Sequence, residues 1–330
     1  MSFQKVRKIL EEYDAKNVTL LCHHNADPDA ICSAYAFKSL LRHFNPQLNV
    51  EIGAAQGISR LSKRILKQLS IEVETQPKVE KSNAIVLLDT NTIQQLNDTA
   101  GKVKASRAPI IVIDHHAFHP ETEKLSTLYI VDENASSTSE IIYRFFKQAD
   151  VKLGENEAKA LFLGIAYDTR HFSIANSSTF KAIAELIDAG VDAKETLSML
   201  SLPMYFSERM ARLKGAKRIK TTNIRNWVVA SSHVNAYQAS TARAIIELGA
   251  HVAIVAGHRK EKLEISLRSS NEFHKKTGVH LGRDVAKKLG EQLHGMGGGH
   301  PTAAGVNGEG DIETGLDYCL LLLKGTLTNG

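Results

Sequence analysis

The sequence predicts an α/β protein, with an N-terminal doubly wound, mostly parallel sheet followed by a smaller α+β unit. Three observations carry that expectation. Over about 130 residues, short β-branched runs alternate with amphipathic stretches, the pattern of repeated strand–helix crossovers. Three apolar runs end abruptly in acids or imidazoles: Val18 to Cys22 before His23, Ala84 to Leu88 before Asp89, and Pro109 to Ile113 before Asp114, His115 and His116. Runs this continuously apolar suit strands covered on both faces. Finally, 330 residues exceed the usual size of one domain, so a second unit is expected.

Taken in order, residues 3–14 read as a charged amphipathic helix and 18–22 as the first strand. Asp29 to Phe44 is a helix with apolar Ile31, Ala34, Tyr35, Leu40 and Leu41. Asn49 to Gly53 is a short strand, Ile58 to Leu69 a helix, and Ala84 to Leu88 a strand. After the run ending at Ile113 comes the strand Leu128 to Val131. Ala135 to Glu140 opens a helix through a serine/threonine cluster, which can cap it or offer free backbone N–H groups to an anion. Glu155 to Tyr167 is the next helix, with Asp168 at its end, and 178–189 another, stopped by Gly190. Mixed polarity and a proline mark 191–218 as a helical linker. Strands follow at Trp227 to Ser231, Val252 to Gly257 and Lys262 to Leu267, with helices near 239–248 and 280–294. Expected domains are therefore 1–190 and 219–330.

The composition is 43% hydrophobic and 23% charged, enough apolar material for real cores in a soluble protein. A net charge of +5 suits an anionic partner without demanding one. Cys22, Cys32 and Cys319 have neither paired nor metal-finger spacing, which argues against a disulfide framework. The N-terminus is no signal peptide, and the apolar run Tyr318 to Leu323 is far too short to span a bilayer. The expected location is the cytoplasm.

His23, Asp27, Asp29, Asp89, His115 and Asp168 are the candidate metal ligands. Asp27-Pro28-Asp29 places two carboxylates two residues apart on an extended loop, where each can serve a different ion. Pro28 fixes its own φ and biases Asp27 away from helical geometry. An acid at a strand end ordinarily caps a turn or helix. Several strand ends bearing acids or imidazoles in one α/β half fit a site better, because open sheets build sites at strand C-termini. Asp27, Asp29, Asp89 and Asp168 gathered bare would repel one another and take up protons. Two divalent cations would neutralise the four charges, with Asp89 bridging them. Carboxylate and imidazole ligation without thiolates suits Mn²⁺, with Mg²⁺, Co²⁺ or Zn²⁺ as alternatives. Asp114 is expected to orient an imidazole.

The segments HHNADPDA, VLLDT, VIDHH and YDT, in this order and spacing, resemble the four motifs of the DHH phosphoesterase superfamily. The resemblance implies one metal held by His23, Asp27 and Asp89, and a second by Asp29, Asp89, His115 and Asp168. It also implies that His116 faces substrate phosphate. The superfamily includes the single-strand exonuclease RecJ, nanoRNases, cyclic-dinucleotide phosphodiesterases and manganese-dependent pyrophosphatases. The chain departs from the pattern twice. Cys32 precedes Ser33 where glycine is frequent, and Asp168-Thr169-Arg170-His171-Phe172 stands where many members have Asp-Thr-Gly. Neither change touches a metal ligand, but the second alters the substrate side.

In the second half, Gly295-Met296-Gly297-Gly298-Gly299-His300-Pro301-Thr302-Ala303-Ala304-Gly305 is the strongest signal. Clustered glycines let a backbone approach a ligand and expose N–H donors. Pro301 suits the first turn of a helix, which would set His300 at its N-terminus. GGGHPTAAG resembles the signature loop of the DHH-associated C-terminal domain, in which the loop and an upstream arginine, here matched by Arg268, bind the nucleotide. This second match argues against a pyrophosphatase.

Together the resemblances imply phosphodiester hydrolysis by a water that two metals activate, in a cleft between the domains. Asp89, Asp114 and His116 are the expected catalytic residues, and His116, Arg170, Arg268, Gly298, Gly299 and His300 the expected substrate contacts. No residues are spare for an extra nucleic-acid domain, and no aromatic-and-basic stripe suits a long single strand. The expected substrate is therefore a short single-stranded oligonucleotide, as for a nanoRNase-like exonuclease. Alternatives are linear or cyclic dinucleotides (pApA or c-di-AMP), the 3′-phosphate of phosphoadenosine phosphate, and a nucleotide-binding sensor without chemistry. Four mutually repelling carboxylates argue against the sensor. No membrane partner is expected, and a homodimer is compatible with the resemblance.

Overall fold

Five apolar runs of the first half become strands β1 (Asn17–Cys22), β2 (Asn49–Ala54), β3 (Ala84–Leu88), β4 (Ile110–Asp114) and β5 (Leu128–Val131). They pair in parallel throughout, in the order β2-β1-β3-β4-β5. The computed structural model describes residues 3–201 and 203–328, and the chain divides into two units, Met1–Leu202 and Pro203–Gly330.

The helices of the first unit are α1 (Phe3–Glu12), α2 (Pro28–Phe44), α3 (Arg60–Leu69), α4 (Thr99–Ala105), α5 (Pro120–Leu125), α6 (Thr138–Gln148), α7 (Glu155–Asp168), α8 (Ser177–Asp188) and α9 (Ala193–Met199). They cover both faces of the sheet, and alternation along each strand divides its side chains between two cores. Leu20, Val86, Leu88, Ile111 and Ile113 pack with Phe37 of α2, Phe145 of α6 and Phe162 of α7. Leu21, Ile85, Leu87 and Val112 pack oppositely, with Val79, Leu96 and Val103 of α4. The chain leaves β1 toward β2 on one side and returns to β3 on the other. The C-terminal ends of β1 and β3 therefore flank the point where winding direction reverses, the crevice where open α/β sheets bind ligands.

The second unit contains α10 (Phe206–Lys217), β6 (Lys220–Ile224), β7 (Trp227–His233), α11 (Gln238–Glu247), β8 (Val252–Arg259), β9 (Lys262–Ser269), α12 (Asn271–Thr277), α13 (Lys287–Gln292), β10 (Met296–His300), β11 (Ala303–Gly308) and α14 (Ile312–Thr328). A π-helical stretch, Leu281–Ala286, leads into α13. The sheet order is β10-β11-β9-β8-β7-β6, with only β7 and β8 parallel. Leu263, Ile265, Leu267, Ala304 and Val306 face α14, α13 and the π-helical stretch. Ala230, Ala253 and Val255 face Ala242 and Ile245 of α11.

The structure corrects one expectation outright. Pro301 does not open a helix, and His300 is not at a helix N-terminus. His300 ends β10 and pairs with Ala303 across the turn Pro301-Thr302. The glycines make a strand that can lie directly on the helices behind it. A Cβ on Gly297 would come 1.8 Å from the Ala286 carbonyl oxygen, and one on Gly282 would come 2.1 Å from that of Gly299. The stretch 191–218, read as a helical linker, holds α9 in the first unit and α10 in the second. Strands β6, β10 and β11 and helices α4, α5, α12 and α14 had no counterpart in the sequence reading. Among the described residues no helix is long and apolar enough to cross a membrane, and all three cysteines are buried and free.

Gly298, between two crowded glycines, would meet nothing within 4 Å if given a Cβ. Gly297→Ala should therefore lower stability by about 1–3 kcal/mol through overpacking. Gly298→Ala should leave it unchanged or raise it by up to about 1 kcal/mol, because a strand interior prefers alanine. Urea denaturation of the two variants measures the contrast.

Candidate active site

The ligand-type side chains scattered along the first unit meet at the C-terminal ends of β1, β3 and β4. His23 follows β1, Asp89 follows β3, and Asp114 ends β4, with His115 and His116 next. Asp27 caps α2, its Oδ1 accepting from the N–H groups of Asp29 and Ala30, with Pro28 as the first helical residue. Asp168 arrives at the end of α7. Donor atoms of His23, Asp27 and Asp89 lie within 4.8 Å of one another, as do those of Asp29, Asp89, His115 and Asp168. Asp89 belongs to both sets. A third grouping adds Asp114 and His116 to Asp89 and His115, but those two additions already bond each other.

Hydrogen bonds hold the rings of His23 and His116, whereas His115 Nε2 has none. His23 Nδ1 donates to the His24 carbonyl at 2.8 Å, which leaves Nε2 toward Asp27 and Asp89, 3.8 and 3.7 Å away. His115 Nε2 is 3.6 Å from Asp89 and 2.9 Å from Asp168, yet it makes no hydrogen bond although buried. Asp114 Oδ1 accepts from both the backbone N–H (2.8 Å) and Nδ1 (2.7 Å) of His116. The imidazole that Asp114 orients is thus that of His116.

Sequence reasoning placed Thr138 and Ser139 in a capping cluster but missed their bonds to Asp29 and Asp89. The N–H groups of Thr138 and Ser139 donate to Asp29 Oδ2 and Oδ1 at 2.7 and 2.9 Å, and Thr138 Oγ1 donates to Asp89 Oδ1 at 3.0 Å. The serine/threonine cluster is both things foreseen for it. Ser137 caps α6, and the next two N–H groups meet an anion, the chain's own Asp29. Gly164 of α7 makes the room, since a Cβ there would lie 2.0 Å from Ser139 Oγ and 2.6 Å from Asp29 Oδ1. Asp89 itself takes φ +54°, a strained backbone for a buried side chain.

Arg170 stands apart from these donors. It is exposed on the turn after Asp168, where Arg170, His171 and Phe172 all take left-handed φ of 51°, 55° and 68°. Phe172 anchors the turn against Phe162 and Phe180.

In the second unit the register places Arg268 opposite Ala303, Ala303 opposite His300, and Gly305 opposite Gly298. Directly paired residues share a face, so Arg268, His300, Gly298 and Gly305 lie on one side of the sheet. Arg268 and His300 straddle Ala303, roughly 10 Å apart at two strand spacings. Arg268 Nε is buried and without a partner. Gly299 is turned to the opposite side, beside Gly282.

The sequence matches the DHH family, N-terminal domain, over residues 17–165 and the DHHA1 domain over residues 226–320. It is 36% identical over 302 residues to an uncharacterized protein of Methanocaldococcus jannaschii, covering 91% of this chain and 89% of that one. The chain belongs to the DHH family. It is a two-domain DHH phosphoesterase, a hydrolase of phosphate ester bonds. It is also 27% identical over 319 residues to the probable bifunctional oligoribonuclease and PAP phosphatase NrnA of Streptococcus mutans, covering 93% of both chains. With the manganese-dependent inorganic pyrophosphatase of Bacillus subtilis it shares 29% identity over 203 residues, 59% of this chain and 62% of that one.

The DHH donor sets fit divalent cations. No lysine or arginine pairs with these carboxylates among the described residues; histidines alone face them. Separations of 3.6–3.8 Å are too long for hydrogen bonds, but allow two donors to share an ion about 2.0–2.2 Å from each. Without a cation the acids are frustrated. Burial, then the charge of Asp168, pushes Asp29 up to about 7 despite His115. Burial, followed by Asp29 and Asp27, pushes Asp89 well above the usual carboxylate range. Burial would lower His115, but Asp168 beside it and the charge of Asp29 lift it to about 9. At Asp27 burial works upward and is outweighed by His23, which holds the carboxyl low.

The two printed shifts act in the same direction on stability. From its ordinary value of 3.8 up to about 7, the folded metal-free chain keeps a proton on Asp29 that the unfolded chain has lost. From 6.5 up to about 9 the same holds for His115. The folded state binds more protons, so stability falls as pH rises through these windows. Thermal denaturation in chelator should show Tm dropping from about pH 5 to about pH 9, and added Mn²⁺ should restore it by an amount that grows with pH. A metal-free Tm that climbs across that range would contradict the assignment.

Proposed function

We propose that this DHH phosphoesterase is a phosphodiesterase of short oligonucleotides, a nanoRNase-like exonuclease working with two Mn²⁺ ions. The observation that carries the reading is Asp89, one buried carboxylate common to two donor sets. His23, Asp27 and Asp89 would hold one ion, and Asp29, Asp89, His115 and Asp168 the other. Bound there, such ions polarise phosphoryl oxygens and make a water nucleophilic at neutral pH.

The chain's own groups do the positioning. Helix α6 and Thr138 occupy one lone pair on each Asp29 oxygen and on Asp89 Oδ1, which fixes these carboxylates and leaves lone pairs free for ligation. Asp114 accepts from His116 Nδ1–H and so orients a half-exposed ring, and in the imidazolium form of that ring Nε2–H would donate to substrate phosphate or supply a proton to the leaving oxygen. Arg268, His300 and the bare backbone of Gly298 offer one face to a phosphate-bearing nucleotide. Arg170, exposed beyond Asp168, adds a cation on the substrate side.

The streptococcal relative, named as a probable oligoribonuclease and PAP phosphatase, supports both this reading and a second, removal of the 3′-phosphate from phosphoadenosine phosphate. Purified protein in Mn²⁺ should hydrolyse RNA oligomers of about two to five residues faster than long strands or pyrophosphate. Cyclic and linear dinucleotides and phosphoadenosine phosphate complete the panel, and turnover of none of them would overturn the proposal. Asp89→Asn should cost at least about 100-fold in kcat, more than loss of a residue that merely supports a ligand. The same variant should melt higher than wild type in chelator, because a neutral amide relieves the buried repulsion. Activity near the wild-type level would remove Asp89 from its shared role.

A further inference from the structure

Among the described residues, Glu140 is the one buried acid outside the group at the strand ends. It stands in the first turn of α6, fully enclosed yet well supplied with donors. Its Oε2 accepts from the Ser136 N–H at 3.1 Å, the Ser136 hydroxyl at 2.6 Å and the Thr179 hydroxyl at 3.1 Å. Its Oε1 accepts from the Ser178 hydroxyl at 2.7 Å and from Nη2 of Arg144, whose Nη1 reaches Asp132 at 2.6 Å. Burial would raise the proton affinity of Glu140, but the bonds from Ser136, Ser178 and Arg144 outweigh it and hold the carboxyl below its ordinary range. It is therefore a carboxylate at neutral pH. Helix formation does not account for this junction, because Ser137 already caps α6.

The donors come from two segments that lead to candidate metal ligands. Ser136 enters α6, whose Thr138 and Ser139 N–H groups hold Asp29. Ser178 and Thr179 open α8, into which the turn after Asp168 runs. Phe172 fastens that turn to α8 through Phe180, with ring centroids 6.2 Å apart. Asn176, the α8 cap, also reaches back to the Asn134 carbonyl at 3.3 Å. Glu140 thus joins the support of Asp29 to the support of Asp168, and both acids belong to one donor set. The other set is held elsewhere. His23 donates to the His24 carbonyl, His24 to the Gln95 carbonyl, and Asp27 accepts from the first turn of α2. None of these bonds involves α6 or α8.

We infer that Glu140 is a positioning residue for one ion of the pair, the one that Asp29, His115 and Asp168 would hold, and does not act on the ion of His23 and Asp27. This rests on the proposed two-ion site. Without the junction, α6 and α8 can shift against each other, so Asp29 and Asp168 lose their mutual placement while His23 and Asp27 keep theirs. Groups that orient metal ligands from behind alter affinity by about 10–100-fold.

The test is calorimetric titration of the metal-free full chain with Mn²⁺ in two backgrounds. His23→Ala leaves the Asp29 side as the intact site, and Asp168→Asn leaves the His23 side. Adding Glu140→Gln should weaken Mn²⁺ binding at least about tenfold in the first background and less than about twofold in the second. A role in stability alone would lower Tm without separating the backgrounds, so equal weakening in both, or none in either, would overturn the inference. Ser178→Ala covers the case in which Glu140→Gln does not fold, because it removes one donor and keeps the Glu140–Arg144 pair. It should weaken binding about threefold in the first background alone, and no change there would count against the inference in the same way. If wild type binds fewer than two Mn²⁺ per chain, the two-ion reading fails and takes the inference with it. Two ions in wild type with no contrast between the backgrounds sinks the inference alone.

Discussion

Much of the first unit is arranged to keep two carboxylates buried side by side. Asp29 and Asp89 are 0% and 2% exposed, and among the described residues neither has a lysine or arginine as partner. Isolated charges are not tolerated in such a place, where they shift their pKa or find compensation. The compensation built into the chain is partial. The N-terminus of α6 gives Asp29 two N–H donors, Thr138 gives Asp89 a hydroxyl, and the histidines stand at distances too long for full pairing. What remains uncompensated is a negative hole of the size and donor chemistry that divalent cations fill. Helices α2, α6 and α7, packed together through Phe37, Phe145 and Phe162, hold that hole open against its own repulsion.

The second unit solves a different problem with the same economy of means. Its sheet is covered by α14 on one side and only partly by α11 on the other. On the partly covered side the outer strands carry glycine, alanine, arginine and histidine where a core would need bulk. Glycine has two separate uses within one strand. At Gly297 the missing Cβ lets backbones pack behind the hairpin, and at Gly298 it leaves space in front.

The part of the fold legible in the sequence was the part governed by continuous apolar runs. β1, β3, β4 and β5 stand where such runs stood, and the acids and imidazoles that end three of them gather as their positions implied, because a parallel sheet brings strand C-termini to one edge. Short helices such as α4 and α5, of seven and six residues, were illegible because so few residues display no periodicity. The apolar run within α14 was weighed against bilayer thickness and so was not read as one face of a soluble helix. The hairpin at Pro301 was misread because proline starts helices and turns equally well, and only the strand pairing of its flanks distinguishes them. Thr138 was seen as part of a cap, but its bond to Asp89 spans 49 residues of sequence and has no local signature.

Cys22 closes β1 immediately before His23, and Cys32 lies one turn into α2, both fully buried. Burial first, and then the charges of the neighbouring aspartates, push both thiols well above their ordinary value. Sulfur is therefore adjacent to the acids yet kept in its protonated form, with Cys22 Sγ donating to the Ala30 carbonyl. Thiolate is the species that captures soft ions and reacts with electrophiles. Burial, and after it the same negative charge that suits hard oxygen-seeking ions, thus favours the thiol form of the nearest sulfurs.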